Sequence, residues 1–213
     1  MPSVSLRVAD LLIASWAVPR ESVARVLPTG LEPAEMDGRH LVSLVALRYA
    51  GGRLGRLPVP PFSQLNVRVY TLWEGEPAVL LLDARVSPPG LLAQLFGFPF
   101  RTSLLRVRRG RADARGLGVR IRYALDGEAD PGALGRHALG LFESAGLRSF
   151  RVHRGPCRWW RALASEHVRA DPLLALGFDV NEPDSLLYAG GASFEIEGRP
   201  RLIASTRSSG SRR

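Results

Sequence analysis

The chain has 213 residues, 46% of them hydrophobic and 23% charged, a composition that supports a packed core and argues against intrinsic disorder. Its formal charge is +9, and every one of the 29 basic residues is arginine. A chain without lysine has no side-chain amine to form a Schiff base, because guanidinium stays protonated and does not attack a carbonyl. Cys157 stands alone, which excludes an intrachain disulfide, and with four scattered histidines a structural zinc site is not expected. The bland reading of Cys157 is a buried thiol.

The apolar runs, such as "AVLLLDA" at 78–84, fall far short of the roughly 20 residues that a bilayer crossing needs, and no basic-then-apolar leader opens the sequence. A cytoplasmic protein without membrane contact is expected. The high arginine content and the cluster "RVRRGRADARG" at 106–116 raise nucleic acid as a partner. No recognised binding motif accompanies the cluster and no aromatics are interleaved with it, so nucleic acid is disfavoured.

Residues 10–18 read as a first strand, and "PRESVARVLPTGL" as a short helix with Pro19 in its first turn, stopped near Pro28 and Gly30. A strand follows at 40–50, then a glycine- and proline-rich connection at 51–61. "FSQLNVRVYTLWEG" at 62–75 alternates with period two: Gln64, Asn66, Arg68 and Tyr70 on one side, Leu65, Val67 and Val69 on the other. "PAVLLLDARVS" is apolar enough through its middle for both faces to be covered. "SPPGLLAQLFGF" reads as a short helix closed near Gly97, and "RTSLLRVRRG" as a returning strand. "LGVRIRYALDG" alternates again, so that Arg106, Arg108, Arg120 and Arg122 form one basic outer face of a hairpin. "DPGALGRHALGLFESAGL" at 130–147 reads as the best helix, with Asp130 as cap, Pro131 at its first position and Gly146 at its exit.

Strand-like pieces follow at 149–154, around 158–168 and at 186–205, the last with a turn at 197–200. "RWWRALASEHV" is ambiguous between helix and strand, and if extended sends Trp159 and Trp160 to opposite sides. The tail at 205–213 should be disordered. Many strands with a few short helices and no regular alternation of the two give an α+β fold on a largely antiparallel sheet. One domain over 1–204 is expected, since no linker or internal repeat interrupts it.

Four stretches, "SWAVPRESVARVLPTGLEPAEMDGRHLVSLVAL", "FSQLNVRVYTLWEGEPAVLLLDA", "LLAQLFGFPFRTSLLRV" and "FRVHRGPCRWW", together resemble the YqjF-like DUF2071 proteins, distant relatives of acetoacetate decarboxylase. The likeness runs from about residue 10 to about 204; "FSQLNVRVY" and "GFPF" are its most specific pieces. It implies a curved antiparallel sheet closing into a barrel or cone around a small cavity. In a closed sheet one parity faces the lumen, so Gln64, Asn66, Arg68 and Tyr70 become the expected inward set. Without the resemblance, that side would be read as facing water.

The enzyme relatives carry a "GFPKK"-like segment whose first lysine makes the Schiff base and whose second lowers the pKa of the first. Here the stretch reads "GFPFR", with Phe100 where the nucleophile would be and Arg101 where the second cation would be. A glutamate of the relatives' site aligns with Gln64, which cannot ionise and so cannot act as a general base. Decarboxylation through an imine is therefore not expected of this chain.

What the resemblance leaves is a pocket. Arg68 and Arg101 can each hold a carboxylate in a two-pronged pair, while Gln64, Asn66 and Tyr70 supply hydrogen bonds and Phe98 and Phe100 apolar walls. Core packing is the competing role for the two phenylalanines, and a buried ion pair with an acid such as Asp83 is that for Arg68. His153 matches a histidine-bearing patch of the family and is the histidine to nominate for proton transfer, against a hydrogen bond at a strand end. His40, His137 and His167 read as ordinary surface or half-buried residues.

Three functions follow: a cavity protein binding a small organic acid or similar metabolite without a cofactor; a non-imine lyase or hydrolase in which His153 or Tyr70 moves a proton; a basic interaction protein with an acidic or nucleic-acid partner. Exposed strand edges and the habits of the relatives make a homodimer a reasonable expectation.

Overall fold

Period-two alternation of apolar and polar side chains runs through most of the sequence, and a chain patterned in this way buries one face of a sheet at a time. In a computed structural model, which describes residues 4–88, 94, 97–135 and 138–203, that pattern yields sixteen strands in one sheet. The long ones are β1 (Val4–Ala17), β3 (Leu41–Leu54), β5 (Phe62–Trp73), β6 (Glu76–Val86), β10 (Val119–Glu128) and β15 (Ser185–Ile196). Helix α1 (Arg20–Ala24) follows β1, with Pro19 as its N-cap, and β2 (Leu31–Pro33) comes next. A hairpin arm, β4 (Leu57–Val59), pairs with the end of β3, so the expected 51–61 connection is mostly strand.

Beyond β6 come β7 (Arg101–Thr102), β8 (Arg106–Arg108) and β9 (Arg111–Ala114), so the single strand expected over 101–110 is two short ones. After β10 come β11 (Leu139–Glu143), β12 (Leu147–Arg154), β13 (Arg158–Ala164), β14 (Arg169–Ala170), helix α2 (Asp171–Ala175), then β15 and β16 (Arg201–Leu202). "RWWRALA" is thus strand. The helix expected over 87–98 and the tail at 205–213 lie largely or wholly outside the described residues.

The helix expected over 130–147 is not formed. A short 3₁₀ turn at Gly132–Gly135 is followed by strand β11, which runs parallel to β6. Asp130 does accept a hydrogen bond from the Gly132 N–H, at 2.8 Å, but this caps a turn and not a helix. Glycines 132, 135, 140 and 146 weaken a helix here, and Gly140 is required by its strand partner: a Cβ there would lie 2.2 Å from the Phe150 ring.

Seven strands close a ring in the order β12, β11, β6, β5, β3, β1, β15 and back to β12. The closing pair is short: Val152, His153 and Arg154 face Ile196, Glu195 and Phe194. The sheet has two apolar faces. Inside the ring lie Leu11, Ile13, Val45, Leu47 and Phe142; outside lie Leu12, Trp16, Leu44, Val67 and Leu80. A bulge near Ala9 switches the inward parity of β1, so that Leu6 and Val8 also point in. β8 to β10, β13, α2 and the turn after α2 cover the outer face with Ile121, Tyr123, Leu173 and Phe178. There Asp10 is buried and accepts from Arg48 at 2.6 Å and from the Tyr188 hydroxyl at 2.8 Å.

Pairing of β8, β9 and β10 sets Asp113 between Arg106 and Arg120, and Arg111 between Arg108 and Arg122. Arg106, Arg108 and Arg120 are exposed, whereas Arg111 and Arg122 both donate to the Asp113 carboxylate. Burial alone would raise the Asp113 pKa; the two guanidiniums outweigh it and hold it below the usual carboxylate range. A depressed folded pKa contributes stability that is present at neutral pH and lost as pH falls through that value. Asp113→Asn should therefore lower the melting temperature at pH 7, and the gap to the parent should narrow below about pH 4. Parallel melting curves across pH measure this, and a gap independent of pH would contradict it.

Among the described residues no helix is long and apolar enough to cross a membrane.

Candidate functional site

The inward face of the ring lines a cavity of about 170 Å³ that is partly open to solvent. All seven ring strands contribute to its wall, and the parity of β5 decides its polar part: Phe62, Gln64, Asn66 and Arg68 point inward, while Leu65, Val67 and Val69 pack outside. The hydrophilic parity of "FSQLNVRVY" thus faces the lumen. Phe98 and Phe100 also line the cavity, stacked at 5.2 Å, with Phe98 edge-on to Phe150 at 5.1 Å.

Tyr70 belongs to the same parity but lies beneath the cavity wall, with no exposed surface. Its hydroxyl accepts two hydrogen bonds from the Arg68 guanidinium, at 3.2 Å from Nε and 2.9 Å from a terminal nitrogen, and lies 2.9 Å from Ser43 Oγ. Ser43 Oγ is in turn 2.7 Å from Ser15 Oγ. This buried chain of hydroxyls ties β1, β3 and β5 together and fixes the angle at which Arg68 enters the lumen. The ion pair considered for Arg68 is absent, because Asp83 receives Arg85 at 2.8 Å instead.

Two nominated residues are placed elsewhere. Arg101 is exposed on β7 and does not line the cavity, since it follows Phe100 directly and adjacent residues on extended chain point oppositely. His153 is exposed as well, with its Nε2 2.6 Å from a Glu197 oxygen. It occupies the outward parity of β12, whose inward parity is Phe150, Val152 and Arg154. Neither His153 nor Tyr70 therefore presents an acid or base to the lumen.

Arg154 is the residue that sequence reading missed. It faces the cavity from the β12 wall while Arg68 faces it from β5, several strands away around the ring in either direction. Each guanidinium stands 5.2 Å from the centre of an aromatic ring, Tyr70 for Arg68 and Trp159 for Arg154. Burial pulls the Arg154 pKa down, the Cys157 thiol opposes this, and the charge of Arg68 adds to the lowering. Cys157 is half-buried rather than buried, with burial pushing its thiol up and Arg154 pulling it down.

Among the described residues no aspartate or glutamate lines the cavity, and neither arginine has a carboxylate partner. Gln64 accepts from the Tyr49 hydroxyl at 3.1 Å, and burial raises the Tyr49 pKa, which keeps that donor protonated. Asn66 Oδ1 is buried without a hydrogen-bond partner, an arrangement that costs about 1–3 kcal/mol until a donor reaches it. The site therefore combines two uncompensated cations, one unsatisfied amide and a hydrocarbon wall. Among the described residues no group of three or more His, Cys, Asp or Glu side chains could hold a metal ion.

No match is found among curated proteins. Several solved structures share the architecture at low identity. An acetoacetate decarboxylase-like enzyme from Sphingomonas wittichii RW1 is 14% identical with a TM-score of 0.64, covering 94% of this chain and 92% of its own. Acetoacetate decarboxylase from Legionella pneumophila is 11% identical with a TM-score of 0.64 over 96% and 88%. The enduracididine biosynthesis enzyme MppR complexed with pyruvate is 15% identical with a TM-score of 0.59 over 95% and 90%. These likenesses establish the fold. Residues 5–193 match the family model described as "Uncharacterized conserved protein (COG2071)". The chain belongs to the DUF2071 family and carries the acetoacetate decarboxylase-like fold.

Proposed function

We propose that this protein binds a small organic acid inside the ring, with the carboxylate held between Arg68 and Arg154, and performs no imine chemistry on it. The observation that carries the reading is the pair of arginines lining one cavity with no acidic partner among the described residues. Charges removed from water in this way are retained where a counter-charge arrives with a ligand, and planar guanidinium matches a carboxylate with two parallel hydrogen bonds. Asn66 and Gln64 add directed polar contacts beside the arginines. The neighbour MppR, complexed with pyruvate, gives the same fold a carboxylate ligand in that protein.

Carboxylates at concentrations well above Kd should raise the melting temperature of the parent, and the double variant Arg68→Met/Arg154→Met should show no such rise. An equal rise in both would overturn the reading. Borohydride added with acetoacetate or pyruvate should leave the protein mass unchanged, apart from an adduct on the N-terminal amine, because no lysine is present. A reduced adduct on any internal residue would contradict it.

A further inference from the structure

We infer that the cavity selects monocarboxylates with an apolar body of about one aromatic ring or a chain of roughly six to eight carbons, in preference to short keto acids or dianions. This rests on the carboxylate reading above and adds the nature of the rest of the ligand.

Apart from Arg154 on the β12 wall, the amide and guanidinium groups of the lining lie along one stretch of β5. Arg68 lies opposite Ser43 in the β3–β5 register, and Asn66 opposite Val45. Far along the same strands the wall is Val4, Leu54 and Ile196, which the register sets side by side. Among the described residues the one lining cation near this end is Arg154, which pairs with Phe194, two positions from Ile196. With both arginines engaged by one carboxylate, a second carboxylate, or the hydroxyls of a sugar acid, would be buried against this hydrocarbon without partners, at the cost that an unsatisfied polar group carries. The hydroxyl that Tyr49 brings to the lining is already committed to Gln64.

Size points the same way. An apolar cavity of about 150 Å³ accommodates a benzene molecule, and this one measures about 170 Å³. Pyruvate or acetoacetate would leave a substantial part of that volume unfilled, and no lysine is present to engage the keto group. Gly140 and Phe150 set the width. Gly140 has no side chain where the Phe150 ring lies, and a Cβ would meet that ring at 2.2 Å, forcing it toward the lumen that both residues line.

The test is a binding series on the parent protein by calorimetry: linear carboxylates from acetate to dodecanoate, benzoate, phenylacetate, pyruvate, succinate, and hexanol as the neutral control. Affinity should rise about fourfold per methylene as apolar surface is buried, peak near hexanoate to octanoate, and fall for longer chains. Gly140→Ala should move the optimum to shorter acids and Phe150→Ala to longer ones. Pyruvate or succinate binding as tightly as hexanoate would overturn the selection and leave the carboxylate reading standing. Hexanol binding as tightly as hexanoate would overturn the carboxylate reading itself. An optimum that neither variant moves would place the ligand's body outside this cavity and overturn the inference.

Discussion

Arg154→Met is expected to bind carboxylates at least ~30-fold more weakly than the parent, the effect of removing one member of a desolvated charge pair, while melting no lower in the absence of ligand. Arg154 is half-buried, has no acidic partner among the described residues and shares the lumen with Arg68. Its desolvation and the repulsion from Arg68 both disfavour the folded state, and contact with the Trp159 ring offsets only part of this, ~0.5–1 kcal/mol where exposed and more where desolvated. Methionine keeps the chain length and the contact with Trp159 while discarding the charge. A binding site held together at the expense of stability behaves in this way, and a purely structural arginine does not. Titration of hexanoate beside unliganded melting curves separates the two. Unchanged affinity with a lowered melting temperature would make Arg154 a packing residue.

How much of this was written in the sequence differs from element to element. The alternation in "FSQLNVRVY" is sufficient to identify a strand, but it is symmetrical with respect to which side is wet. Only closure of the ring, which pairs residues as distant as Arg154 and Phe194, turns Gln64, Asn66 and Arg68 inward. Family resemblance supplied that closure, and local pattern could not. The same rule, applied to "FRVHR", groups Phe150, Val152 and Arg154 on one parity and sends His153 to the other. His153 carries the more obvious titrating chemistry, but Arg154 beside it holds the inward position. Arg101 fails by the same arithmetic, because Phe100 and Arg101 cannot both point inward from extended chain.

The misread helix over 130–147 shows a different limit. Its capping signals are genuine and local, but they close a 3₁₀ turn, and the next residues pair with β6, more than fifty positions earlier. Gly140, the weak point of the helix reading, is explained by the ring of Phe150 lying against it. A glycine demanded by a tertiary neighbour looks, in sequence, the same as a glycine tolerated in a helix.

Tyr70→Phe carries the second large expected effect, and on stability rather than on contact with ligand. The hydroxyl it removes is the acceptor for two donors of the Arg68 guanidinium and the neighbour of Ser43 Oγ, in a position with no access to solvent. Leaving donors of a charged group unmatched costs about 1–3 kcal/mol or more, which in a chain of this size lowers the melting temperature by about 2–4 °C for each kcal/mol. Affinity should fall as well, since Arg68 loses the contact that sets its approach to the cavity. Tyr70 is thus a positioning residue acting through Arg68. A double-mutant cycle with Arg68→Met tests this directly: coupling of about 1.5–3 kcal/mol is expected of a hydrogen bond to a charged group. Additive losses would mean that Tyr70 and Arg68 act independently, and the chain of hydroxyls from Ser15 to Arg68 would then have no part in shaping the site.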